Sequence, residues 1–405
     1  MLSRLRSAWP CVAFLFAAVA FACQVPVFRY ALERWRPDAY ELVVVHEGNF
    51  TAAQKVVLSY LEESLVGPDG PVVNLLFETL DLAKEGNASL ERWQTIHTDA
   101  NITAGSPSVH LFYPEEAFRS EQPPLWSGEL SHKDLDAVLD SPARHHLVER
   151  ALQGDSAVWL LLESGDKEKD DALAVQLEKY AAAAREEIDI PEGVIRRQDL
   201  QDDLAFFPSK IDDENVLEAD VPLKIDFSIH RLSRDDPEEE VLLAMLLNME
   251  ADLLDEEFAD VPMLFPVFGK GRALWPLLGE GINEENVLAD CGYLCGPCSC
   301  QVKKQNPGMD LLVKADWLTA LAGTDVVVDK ELPPLTGVED LIEANASSTA
   351  SARETASTET PSAEGEAEAF TNKSSPLSRK LVTGVVLLTA VLLVGSFLLR
   401  RKQET

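Results

Sequence analysis

One order of elements occurs twice between residues 39 and 325, and it limits the folds open to this chain more than composition does. An apolar run too short for a helix, Glu41 to His46, precedes Thr51 to Glu63. There Val56, Val57, Tyr60 and Leu61 recur at helical steps. Val72 to Leu82 offers a second strand. After a polar interval, Ser106-Pro107 leads into a third, Val109 to Tyr113, with Pro124 to Leu130 as its hairpin partner. Asp134 to Leu152 reads as a closing helix interrupted at Ser141-Pro142, where proline suits a first helical turn.

The second half runs the same way. Ala157 to Glu163 is a strand, Asp170 to Glu187 a helix with Leu173, Val175, Leu177 and Tyr180 as its apolar positions, and Leu223 to Leu232 alternates as a strand. Glu238 to Met249 is helical. Val261-Pro262 then opens Met263 to Phe268, with Pro276 to Ile282 as hairpin mate, and Asn283 begins the closing helix. Ile188 to Val221 is an insertion that the first half lacks.

A parallel strand–helix–strand unit followed by a hairpin and a helix resembles the thioredoxin-like fold, and Pro107 and Pro262, each just before a third strand, resemble that family's cis-proline. The expectation is therefore an α/β chain with two tandem thioredoxin-like domains, residues 39–153 and 154–325, the second carrying the insertion 188–221. Redox members place C-x-x-C at the start of the helix after the first strand, where the helix N-terminus lowers the thiol pKa. Here those turns read His46-Glu47-Gly48-Asn49 and Ser164-Gly165-Asp166-Lys167, without cysteine. The phrases Val25-Pro26-Val27-Phe28-Arg29-Tyr30 and Gly296-Pro297-Cys298-Ser299-Cys300-Gln301 resemble an uncharacterised group of exported bacterial proteins, which brings no known activity with it.

Four cysteines stand together instead: Cys291, Cys295, Cys298 and Cys300, as C-x3-C-x2-C-x-C. Three readings stay open. Cys295-Gly296-Pro297-Cys298 is spelled like a thioredoxin active site, so Cys295 and Cys298 are the candidate catalytic pair of a thiol–disulfide oxidoreductase; too little chain follows before the stalk to complete such a domain. Four soft thiolates suit Zn(II), Cu(I) or an iron–sulfur cluster. The spacing also resembles the radical S-adenosylmethionine signature, but that chemistry needs a reducing compartment and a large barrel. In an oxidising compartment the same residues form structural disulfides, pairing across the motif rather than between Cys298 and Cys300. Cys23 is left over as a free, lipidated or cluster-paired thiol.

The ends fix the expected topology. Arg4 and Arg6, an apolar run from Val12 to Phe21 and the site Ala20-Phe21-Ala22 describe a signal peptide over residues 1–22. Leu381 to Leu399 holds nineteen uncharged residues, about 28 Å of helix, followed by Arg400, Arg401 and Lys402. That predicts a single-pass transmembrane helix over 381–399 with a cytoplasmic tail over 400–405. Residues 344–378, rich in Ala, Ser, Thr and Glu, read as a disordered stalk. The sequons at Asn49, Asn87, Asn101, Asn345 and Asn372 would carry glycans in a eukaryote; the bacterial reading, in which they are chance, is favoured. A net charge of -34 argues against nucleic acid and against an anionic lipid surface, and it keeps an exported protein soluble.

Other patterns carry less. His145 and His146 point to different helix faces. Asp166, Asp170 and Asp171 suit a helix N-terminus. The run Asp212, Asp213, Glu214, Glu218 and Asp220 lacks EF-hand spacing. Phe268-Gly269-Lys270-Gly271-Arg272 looks phosphate-friendly but has no GK[ST] helix start, and reads as a hairpin turn. The function expected is a membrane-anchored extracytoplasmic binding or scaffold protein with an unknown protein partner and no cofactor. The alternative is a thiol–disulfide oxidoreductase or a Zn- or Cu-binding protein that uses the cluster at 291–300.

Overall fold

In the computed structural model, which describes residues 23–68, 70–84, 106–114, 123–197, 215–250, 252–298 and 301–322, the first described element is a helix that the repeat does not announce. This is α1, Val27–Arg34, and it buries every residue from Val27 to Glu33. Two of those are charged. Arg29 and Glu33 sit four apart, so they share a face, and their side chains pair at 2.8 Å with about 1% of each exposed.

The first sheet follows. Strand β1 is Tyr40–His46; α2, Ala52–Ser64, starts at a capping box between Thr51 and Gln54. Strands β2, Leu75–Asp81, β3, Ser108–Phe112, and β4, Trp126–Glu129, complete the order β2-β1-β3-β4. β1 and β2 are parallel, joined across α2, while β3 runs antiparallel to β1 and β4 antiparallel to β3. Helices α3, His132–Leu139, and α4, Pro142–Leu152, are capped by Ser131 and Ser141, and Pro142 opens α4 as its sequence foretold.

The second sheet repeats this order and these directions. β5, Ala157–Leu162, precedes α5, Lys167–Glu187. Two short strands, β6, Ile195–Arg196, and β7, Val216–Leu217, pair with each other within the expected insertion. β8, Phe227–Leu232, is parallel to β5, and α6, Glu240–Leu247, follows. β9, Met263–Phe268, lies antiparallel to β5 on its other side. Its hairpin partner differs from expectation: it begins at β10, Arg272–Ala273, breaks, and resumes at β11, Leu277–Leu278. The cause is Pro266. Its carbonyl accepts from the Leu274 N–H at 2.9 Å, but proline has no N–H to return, so the ladder stops there. Helix α7, Glu284–Cys295, strand β12, Met309–Asp310, on β10, and α8, Trp317–Ala320, end the described chain.

Side-chain alternation makes β5 the divide between two cores. Trp159 and Leu161 face α1, α5 and α7. Val158, Leu160 and Leu162 face the other way, into a core that also holds Tyr40, Leu42 and Val44 of β1 together with residues of α3, α4 and α6. The two sheets therefore share one apolar interior, and the described residues belong to one compact unit. Val43, Val45, Leu80 and Phe112 form a smaller cluster on the other face of the first sheet.

A buried polar knot joins the halves. Arg144, fully buried, donates to the carbonyls of Ala137 at 2.6 Å, Val138 at 2.8 Å and Leu312 at 3.3 Å. Glu239 accepts from the Ser141 hydroxyl at 2.6 Å and the Ala143 N–H at 2.7 Å. Burial pulls the Arg144 guanidinium down to about 10 and pushes the Glu239 carboxyl up. Among the described residues no helix is long and apolar enough to cross a membrane. The signal peptide, stalk, transmembrane helix and cytoplasmic tail expected at 1–22, 344–378, 381–399 and 400–405 lie outside the described residues.

Candidate functional site: the buried cysteines

Helix α7 begins where Asn283 accepts from the Asn286 N–H at 3.0 Å, with Glu284 and Glu285 in its first turn where the dipole favours carboxylates. It ends at Cys295, before Gly296-Pro297. A Cβ on Gly296 would stand 2.8 Å from the Gly292 carbonyl oxygen, so a side chain there would force the helix end apart. Cys291 and Cys295, four residues apart, share the face of α7 that packs on the second sheet.

The next turn brings in the start of the chain. Val27 N–H donates to the Gly296 carbonyl at 3.0 Å, Cys298 N–H donates to the Val25 carbonyl at 2.9 Å, and Pro26 bridges Pro297. This strand-like pairing puts Cys23 and Cys298 in the same apolar cluster as Cys291 and Cys295. None of the four is more than 3% exposed. Cys300 lies outside the described residues. Sequence reasoning left Cys23 free, lipidated or paired with the cluster; the docking of the segment before α1 beside α7 puts it in their environment.

Burial decides the chemistry. It pushes the Cys295 thiol up to about 11, against a hydrogen bond with Ser156 that pulls the other way. Cys291 rises further, from burial first and then from the neighbouring Cys295 and Asp290. At pH 7 a thiol near 11 is ionised in about one molecule in ten thousand. The nucleophile and metal ligand is the thiolate, so these two positions are chemically quiet as they stand. Cys291 and Cys295 are both free thiols in this structure. Among the described residues no three His, Cys, Asp or Glu side chains are grouped to hold a metal ion.

Asp290 stands beside them. Its Oδ2 is buried without a hydrogen-bond partner, and burial raises the carboxyl to about 6. That exceeds the ~3.9 of an unfolded chain, so between about pH 4 and 6 the folded state holds the extra proton. Its contribution favours the fold in acid and is lost as pH rises through 6. Asp290→Asn is therefore expected to be more stable than the wild type at pH 7, by about 1 kcal/mol once solvent access to this half-buried group is allowed for, with the gain vanishing near pH 4. Urea midpoints at both pH values check this; an equal difference at both would refute it.

The turns after β1 and β5, which hold no cysteine, are closed by other means. After β1, His46 Nδ1 meets the Gly48 carbonyl at 2.8 Å, its ring lies 3.9 Å from that of Phe50, and the Gly48 N–H donates to Asp81 at 2.9 Å. After β5, the buried Asp170 accepts from the Ser164 N–H at 2.9 Å, the Ser164 hydroxyl at 2.8 Å and the Gly165 N–H at 3.1 Å. Asp166 caps α5. Of the three aspartates here, Asp170 is structural, while Asp171 pairs with Lys167 and Arg231 on the surface.

Pro107 and Pro262 each stand just before a third strand, as their spacing predicts, but among the described residues no peptide bond is cis. Both prolines therefore follow trans bonds, unlike the position they resemble. His146 faces not His145 but His230 of β8, with ring centroids 5.0 Å apart, and burial lowers both rings' pKa. Compared with known proteins, the chain matches no protein-family model, no curated protein and no solved structure.

Proposed function

We propose that this chain is a membrane-anchored, extracytoplasmic binding or scaffold protein built on two tandem thioredoxin-like folds without the family's thiol pair. The observation that carries this reading is the setting of Cys291 and Cys295, buried with thiol pKa values raised by burial, together with the lack of cysteine in the turns after β1 and β5. The fold assignment rests on the repeated strand order, in which a parallel pair is extended by an antiparallel hairpin on the same side. Anchoring and export rest on the sequence of residues 1–22 and 381–399.

The test is enzymatic and chemical. The purified chain, given dithiothreitol, is expected to reduce insulin no faster than the reductant alone. Cys291 and Cys295 are expected to react with a thiol reagent only after unfolding, because the thiolate is both scarce and enclosed. Clear turnover that Cys295→Ser or Cys298→Ser abolishes would replace this reading with a thiol–disulfide oxidoreductase. Stoichiometric zinc or copper in protein purified without added metal would replace it with a metal-binding one. Protease added outside intact spheroplasts is expected to digest the chain up to about residue 380; protection of the folded region refutes the topology.

A further inference from the structure

The turn between β9 and β10 carries a lysine that neither the cores nor the cysteine cluster uses. Gly269 and Gly271 both adopt positive φ, 59° and 100°, and a Cβ on Gly269 would stand 2.7 Å from the Ala31 Cβ. The turn is thus pressed onto α1, and glycine is what fits. Lys270 at its tip is half-buried, and among the described residues no hydrogen bond or ion pair engages its ammonium. It lines a shallow hollow, open to solvent, with Trp35, Arg36, Arg272 and Asp310.

The neighbouring charges are nearly all spoken for. Lys303 Nζ donates to Asp38 at 2.6 Å, to Asp310 at 2.5 Å and to the Arg36 carbonyl at 2.5 Å. Arg272 pairs with Asp310 at 3.0 Å and stands 5.6 Å from the Trp35 ring centroid. Glu33 is held by Arg29, and Arg36 is exposed at the rim. The lining thus holds three cations, Lys270, Arg36 and Arg272, against one carboxylate, Asp310, in a chain whose net charge is -34; behind it Lys303 pairs with Asp38 and Asp310, and Glu33 with Arg29. Burial pulls the Lys270 ammonium down to about 8; Glu33 and Asp310 oppose that shift and Lys303 adds to it.

An ammonium drawn partly out of water is unfavourable until an anion meets it. The hollow encloses no more space than about one water needs, so a ligand could place only a single group at its open mouth. We propose that it binds a small oxyanion, a carboxylate or phosphate group, with Lys270 as the main contact and Arg36 and Arg272 flanking it. This holds whether or not the fold is thioredoxin-like.

The experiment titrates the full chain with inorganic phosphate and, separately, with acetate, at constant ionic strength set by chloride, and follows the thermal midpoint. A saturable rise is expected. Lys270→Met should weaken the apparent affinity by about tenfold or more, as loss of a charge-assisted contact does, and Lys270→Arg should keep most of it. The acetate response should fade between pH 7 and 9.5, where acetate's own charge is constant and Lys270 loses its proton. Stronger binding of phosphate would mark a phosphoryl ligand, and of acetate a carboxylate. No saturable response, or the same response in Lys270→Met, would mean an adventitious ion only and overturn the proposal. Should Lys270→Met fail to fold, Arg36→Gln at the exposed rim takes its place: weaker binding is expected, and unchanged binding overturns the site.

Discussion

Glu33→Ala is expected to lower stability by about 3–5 kcal/mol, the usual result of stripping the partner from a buried charge. Arg29 is about 1% exposed and its remaining contacts are neutral: Nη2 donates to the carbonyls of Ala219 and Val221, each at 2.9 Å. Its Nη1 is already buried without a partner. Burial lowers the Arg29 pKa, and Glu33 is what opposes that shift. Glu33 also accepts from the part-buried Glu218 N–H at 2.9 Å, so its loss leaves that donor without its partner as well. The double variant Arg29→Met/Glu33→Leu removes both charges and should recover most of the loss. Urea unfolding of wild type, single and double variants decides it. A single-variant loss below about 1 kcal/mol would mean that water reaches Arg29 as readily as Glu33 does.

Trp159→Ala should cost about 3–5 kcal/mol by a different route, the emptying of a packed interior. Trp159 is fully buried on β5 and stacks on Phe227 of β8, with ring centroids 5.1 Å apart and planes 20° from parallel. No side chain nearby is free to fill the space, because Leu177, Ala181 and Leu264 are themselves fully buried in the same cluster. Trp159→Phe keeps the stacking and should lose about half as much. If Trp159→Ala loses less than about 1.5 kcal/mol, the layer between β5 and α5 collapses on truncation and is softer than its packing suggests.

The repeated units were legible because their signals are local. Met263 to Phe268 reads as a buried strand from its own apolar run, and Ser141-Pro142 marks a helix start through one cap and one fixed φ. The split of the hairpin partner was not legible: the missing donor belongs to Pro266, but the gap it causes falls after Ala273 on the neighbouring strand. Helix α1 escaped for a related reason. It is only eight residues long, and its polar face, which carries Arg29 and Glu33, is buried by distant segments that its own sequence does not name. Cys291 and Cys295 share a face of α7 that the sequence reading did not assign to them, and their burial beside α1 could not be read from α7 alone. The pairing of Lys303 with Asp38 and Asp310 is likewise written across distant segments.

The docking of the first described segment against nearly the last also sets a timetable. Trp35 donates to the Gln301 carbonyl across 266 residues of sequence, and Lys303 reaches Arg36 across 267. At roughly 5–20 residues per second of synthesis, α1 waits on the order of tens of seconds for its partner. Through that interval the cover that α7 gives the α1 side of the cluster is missing, and closing so long a loop slows the final step. The layer that holds the cysteines is thus completed last, and until then its thiols are open to oxidants and to any holdase that recognises bare apolar helix.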